Sequence, residues 1–88
     1  MRRFVWSKDT SPVLYAELWK VTNLIEGDRL EVYRYKGNGG WSISRGTLEG
    51  GCTFGHNIRT LEAAKRTARR SYLDAYTRIM KRAREVLE

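Results

Sequence analysis

Cys52-Thr53-Phe54-Gly55-His56-Asn57-Ile58-Arg59-Thr60-Leu61-Glu62-Ala63-Ala64-Lys65-Arg66 is the stretch on which the reading of this chain turns. In its first half Cys52, Phe54, His56 and Ile58 alternate with Thr53, Gly55, Asn57 and Arg59, the period of two that marks a half-buried strand. After Thr60 the period changes. Leu61, Ala64, Ala68, Tyr72, Ala75, Ile79, Ala83 and Val86 recur at steps of three or four, which places them on one side of a helix. Thr60 stands where an N-cap belongs, and Glu62 brings a carboxylate to the positive end of the helix. Neither Gly nor Pro interrupts the run. The spacing predicts a helix from about Leu61 to Leu87, with a full-length apolar stripe whose alanines let it lie close against a sheet.

Upstream, Trp41 and Ile43 alternate with Ser42 and Ser44, and Leu30 and Val32 alternate with Glu31, Tyr33 and Tyr35. The connections Lys36-Gly37-Asn38-Gly39-Gly40 and Gly46-Thr47-Leu48-Glu49-Gly50-Gly51 carry the glycines that hairpin turns with positive φ require. The expected class is therefore α+β, an antiparallel sheet of three or more strands with one long C-terminal helix packed on one face. Phe4 to Lys8 reads as a short strand and Asp9-Thr10-Ser11-Pro12 as a turn. Val13 to Ile25 carries two signals. Ser11 before Pro12, the spacing of Leu14, Leu18, Val21 and Ile25, and Gly27 as a stop favour a helix. Val13, Tyr15, Trp19, Val21 and Thr22, followed by the hairpin-like Glu26-Gly27-Asp28, favour a strand, and the reading taken is strand.

Length and composition bound the rest. Eighty-eight residues make one domain, 1–88, burying roughly 60–65% of the surface of its unfolded chain. With 41% hydrophobic residues, 31% charged residues and three tryptophans, the composition is that of a globular protein. No apolar run approaches the roughly 18 residues of a membrane span or forms the core of a signal peptide, so no membrane partner is expected. A single cysteine excludes an internal disulfide, and a cytoplasmic setting is the expectation.

Little here could perform catalysis. His56, the one histidine, and Cys52 share a strand face about 13 Å apart along the backbone, too far for a nucleophile and its base. Two ligands do not make a metal centre, so neither a metal nor a cofactor is expected. The glycine clusters join strands to strands, whereas a phosphate loop leads from a strand into a helix. The expectation is a binding protein, not an enzyme.

Charge points to an acidic partner, either a phosphate backbone or an acidic protein surface. Lys and Arg number 17 against 10 Asp and Glu, a net charge of +7. Residues 61–88 hold eight basic and four acidic side chains, over half the excess in under a third of the chain. At 100° per residue Arg66, Arg70, Lys81 and Arg84 fall in one sector opposite the apolar stripe, with Thr77 in the row, Arg69 and Arg78 at its flanks and Asp74 beside it. Such a row could meet successive phosphates of DNA or RNA. A second candidate surface is Tyr33-Arg34-Tyr35-Lys36, whose aromatics could stack on unpaired bases or meet a protein partner. The expectation taken for these tyrosines is burial, with residues 1–25, including Trp6 and Trp19, covering that side of the sheet.

The order strand–strand–strand–helix, with Trp41-Ser42-Ile43-Ser44-Arg45-Gly46 in the middle strand and Thr60-Leu61-Glu62-Ala63-Ala64-Lys65-Arg66 opening the helix, resembles two nucleic-acid-binding groups. One is the AP2 and integrase-arm type, in which three strands are backed by a helix. The other is the double-stranded-RNA-binding domain, provided Val13 to Ile25 is its first helix. The likeness spans about residues 29–75. Of the latter group's Lys-Lys-x-Ala-Lys run this chain keeps only Lys65, and its loop from Lys36 to Gly40 lacks the group's histidine. Of the arginines the former group carries on its strands, Arg34 and Arg45 are the candidates here. The build is also similar to that of small phage and mobile-element proteins. The expected function is thus nucleic-acid binding through Arg66, Arg70, Lys81 and Arg84, helped by Arg34 and Arg45. The alternative is a protein-interaction module, either a phage-type accessory or inhibitor protein docking on an acidic protein surface, or a homodimer in place of a monomer.

Overall fold

Between Arg29 and Ile58 the backbone makes three antiparallel strands, β3 (Arg29–Tyr35), β4 (Trp41–Thr47) and β5 (Gly50–Ile58), followed at once by helix α1 (Leu61–Leu87). Two further strands precede them, β1 (Trp6–Lys8) and β2 (Tyr15–Val21), so Val13 to Ile25 contributes a strand. The five form one antiparallel sheet in chain order, each hydrogen-bonded to the next. This computed structural model describes residues 3–11, 13–37, 39–47 and 50–87, without the side chains of residues 50–56 and 87.

Local chemistry sets the turns. Asp28 N–H donates to Ile25 C=O at 2.9 Å, and Gly27, at φ 92°, takes the position of that turn which needs a positive φ. Ser11 N–H donates to the Asp9 carboxylate, which makes this segment a side-chain-closed turn rather than a helix start. A bulge in β5 opposite Ser42 includes Asn57 at φ 60°. Gly40 lies against it so closely that a Cβ would meet Asn57 Cα at 2.6 Å. Asn23 ties down the N-terminal segment, accepting from Val5 N–H and donating to Arg3 C=O.

Register decides which side chains meet the helix. Leu30 opposes Arg45, Val32 opposes both Ile43 and Trp19, and Trp6 opposes Val21, so these residues share one side of the sheet. Leu30, Val32 and Ile43 are fully buried there against Ala64, Ala68 and Tyr72 of α1. Alanine at the helix contact permits the close approach that so thin a core needs. Thr60 caps α1, its hydroxyl accepting from Ala63 N–H at 3.1 Å, which contributes about 1 kcal/mol.

Trp6 and Trp19 lie on the helix side, not on the opposite side where they would cover Tyr33 and Tyr35. The Lys65 ammonium sits 4.0 Å from the Trp19 ring centroid and 5.5 Å from that of Trp6. A cation on aromatic faces gains more than either group gains in water, and α1 supplies that cation at the right turn. The other side of the sheet carries Tyr15, Tyr33 and Tyr35 in mutual ring contact at 4.7–5.4 Å. Tyr33 is buried among its neighbours, while Tyr35 remains 45% exposed.

The helix outruns the sheet. At 1.5 Å per residue its 27 residues extend about 40 Å, whereas a seven-residue strand extends about 24 Å. The difference, about 16 Å, is about 11 residues. Burial agrees, because Ala75 is the last buried residue among the described side chains of α1 and Ala83 and Val86 are exposed. Only the first half of the apolar stripe therefore serves the core of this chain.

Tyr72 closes one end of that core. Its hydroxyl donates to Asp28 Oδ2 at 2.6 Å, across 44 residues of sequence, and its ring meets Phe4 edge-on. Burial first, and then the bond to Asp28, hold the phenol well above its usual pKa. An unfolded tyrosine ionises near pH ~10 while this one stays protonated, so the unfolded chain carries fewer protons above that pH. Stability from this group is complete below pH ~10 and falls above it by up to about 1.4 kcal/mol per pH unit. Tyr72→Phe is expected to be less stable at pH 8 and to lose less on going to pH 11 than the parent. Urea titrations at the two values measure both.

Candidate nucleic-acid interface

The helix is stiff, so its charges hold fixed spacings. Arg66, Arg70, Lys81 and Arg84 are all exposed on the side of α1 that faces away from the sheet. From first to last they span 18 residue steps, about 27 Å along the axis. Among the described residues no ion pair engages any of the four. Two shallow depressions break this surface. Arg66, Arg69 and Arg70 line one with Leu73 and Asp74, and Arg70 and Arg78 line the other with Thr67, Ser71 and Asp74. Asp74 is thus the single carboxylate in both, set between guanidinium groups.

The other cations of the first half of α1 are placed differently. Lys65 is held between Trp6 and Trp19, and the Arg69 guanidinium lies 5.8 Å from the Phe4 ring centroid. Their positions on the helix, 40° and 80° from Leu61, turn them toward the N-terminal strands. Lys65 is half-buried and Arg69 exposed, and the charged head of each lies over an aromatic ring.

Arg34 and Arg45 do not join the row. Arg34 neighbours Glu17 across the β2–β3 register, 4.0 Å from its carboxylate, and lies 5.6 Å from the Trp41 ring centroid on the helix side of the sheet. The same Glu17 accepts from Trp19 Nε1 at 2.7 Å. Arg45 opposes Leu30 on that side too, half-buried, with its Nε shut off from solvent. Alternation sends residues 34 and 45 to the opposite side from Tyr33, Tyr35 and Ser44. The tyrosine side of the sheet therefore carries Arg29 rather than Arg34, and Arg29 donates to Ser44 Oγ and pairs with Glu31.

The Cys52 and His56 side chains lie outside the described residues, although both backbones belong to β5. Among the described residues no three Asp, Glu, His or Cys side chains gather as a metal-binding group. No described helix is long and apolar enough to cross a membrane. No protein-family model, curated protein or solved structure matches this chain.

Sequence reasoning found the row because helical periodicity reports a whole face at once. It missed the cations over aromatics. The signal for Lys65 was its position next to the apolar stripe, and the signal for Arg34 was its parity with Val32.

Proposed function

We propose that this protein binds nucleic acid through the solvent side of α1, with Arg66, Arg70, Lys81 and Arg84 contacting phosphates of a duplex. The observation that carries this reading is a row of four exposed cations on one rigid helix, none engaged by an ion pair among the described residues. A rigid row about 27 Å long suits a regular backbone, which presents phosphates at fixed intervals. Single-strand stacking has less support, because Tyr33 is buried and Tyr15 is half-buried. The order of β3, β4, β5 and α1 is the order that resembles AP2-type and double-stranded-RNA-binding modules, a likeness of architecture more than of chemistry.

Fluorescence anisotropy with labelled duplex DNA, duplex RNA and single-stranded DNA across a salt series tests this. Four phosphate contacts predict a slope of log affinity against log salt near about −3.6 on duplex DNA. The absence of binding to any of the three at 50 mM salt, a condition ~ within the range where such contacts act, would overturn the reading. Asp74 supplies a finer check. A carboxylate about 4 Å from a phosphate costs about 1 kcal/mol in water, so Asp74→Asn is expected to tighten duplex binding about fivefold. Unchanged affinity in that variant would remove the Arg66 and Arg70 depressions from the contact surface.

A further inference from the structure

Where α1 leaves the sheet, its cations spread around it. On the half seated on the sheet, the sector about 280° to 300° from Leu61 holds Ala64, fully buried, and Ser71, half-buried. On the projecting half the same side of the helix, about 260° to 300°, holds Arg78 and Arg82, both exposed. Lys81 and Arg84 continue the basic row there at about 140° to 200°. Residues 76–87 thus carry four cations against one carboxylate, Glu85, and the cations occupy two sides of the helix.

Two basic sides call for a concave partner, because a flat or convex acidic surface meets one side of a helix at a time. The major groove of B-form DNA, about 12 Å wide, takes a helix whose diameter with side chains is about 10–12 Å. With the row against the phosphates of one wall, a rotation of about 100° brings Arg78 and Arg82 to the groove floor. They stand one turn apart, about 6 Å along the axis. Guanine O6 and N7 on that floor accept from the forked donors of a guanidinium. Glu85, at about 240°, lies between the two sets, where a carboxylate accepts from cytosine N4. The free length of α1, about 16 Å, exceeds the groove depth of about 8.5 Å, so the sheet does not block entry. Duplex RNA offers no such entry, since its major groove is deep and narrow.

We infer that the duplex is B-form DNA and that the projecting end of α1 enters its major groove, with Arg78 and Arg82 reading guanine edges. The inference rests on phosphate binding by the row, and it adds the class of duplex and the residues that tell one sequence from another. Arg66 and Arg70, on the half seated on the sheet, stay outside the groove on the backbone. Lys81 and Arg84 follow that backbone inward. The change from Ala64 and Ser71 to Arg78 and Arg82 on one side of the helix then has a physical reason: that side is covered by the sheet in the first half and by DNA in the second.

Fluorescence anisotropy of the full chain with a DNA duplex and an RNA duplex of the same sequence, joined to dimethyl sulfate footprinting, tests the inference. Dimethyl sulfate methylates guanine N7 in the major groove and adenine N3 in the minor groove. The chain is expected to bind the DNA at least about tenfold more tightly than the RNA and to protect guanine N7. The double variant R78Q/R82Q should lose at least about tenfold in DNA affinity, and the N7 protection with it. Its salt slope should stay unchanged, because contacts to bases release no counterions. Both positions are exposed and glutamine keeps the helix propensity, so circular dichroism should hold. Equal affinity for the two duplexes, guanine N7 left reactive in bound DNA, or a double variant that binds DNA as the parent does each overturns the groove entry and leaves the phosphate row standing. A flattened slope in the double variant does the same, since it would place Arg78 and Arg82 on phosphates. No binding to either duplex overturns the row itself, and the groove entry with it.

Discussion

Replacing Arg66, Arg70, Lys81 and Arg84 together by glutamine is expected to lower duplex affinity about 4,000-fold at 0.1 M salt and to flatten the salt dependence. The figure follows from counterion release. Four contacts give a slope of about −3.6, so their share of the binding constant at 0.1 M relative to 1 M is about 10 to the power 3.6. Glutamine keeps the helix propensity of the replaced residues, and all four positions are exposed, so the fold should be retained. Glutamate at the same positions would add repulsion and abolish binding, although Lys81→Glu and Arg84→Glu also oppose the negative end of the helix dipole. Anisotropy against salt, with circular dichroism beside it, separates lost contacts from lost structure. If the glutamine variant binds as the parent does, the phosphates are met elsewhere.

Ile43→Ala should be the most damaging single core truncation. Ile43 is fully buried on β4, opposite Val32 of the central strand, in the cluster that holds Ala64 and Ala68. Alanines on the helix cannot move inward to fill a hole, because their Cβ atoms are already the contact surface. The expected cost is about 3–4 kcal/mol, whereas Ile43→Val, which removes one methylene, should cost about 1 kcal/mol. For a domain of this size total stability is about 4–13 kcal/mol, and each kcal/mol moves Tm by about 4–8 °C. Thermal melts should therefore show a fall of about 15–25 °C for the alanine variant. A fall of a few degrees would mean that the helix is not seated on β3 and β4 as described.

The folded arrangement also separates two kinds of cation that look alike in the chain. Lys65 and Arg66 are neighbours, yet one sits on tryptophan rings and the other faces solvent. A single helical step of 100° makes the difference. Binding studies that mutate every cation of α1 indiscriminately would confuse stability with affinity, because Lys65 and Arg69 cover aromatic surface that Arg66 and Arg70 do not touch.

Much of this protein was legible from its residues alone. The change of period at Thr60 announced the last strand and the helix, and the Thr60 cap was readable because an N-cap is a local device. The strands followed from alternation around Ile43 and Val32, and the basic row followed from helical spacing, since both periods are properties of one element. Other features were decided only by tertiary structure. Trp6 and Trp19 went to the helix side, and Arg34 and Arg45 with them, away from the surface they seemed to serve. The apolar stripe of α1 proved to be longer than the sheet beneath it. The physical reason is common to these cases. Alternation and periodicity state which side chains of one element point together, but which neighbour they meet depends on the register between strands and on relative lengths in space, and both are set by packing between elements far apart in the chain.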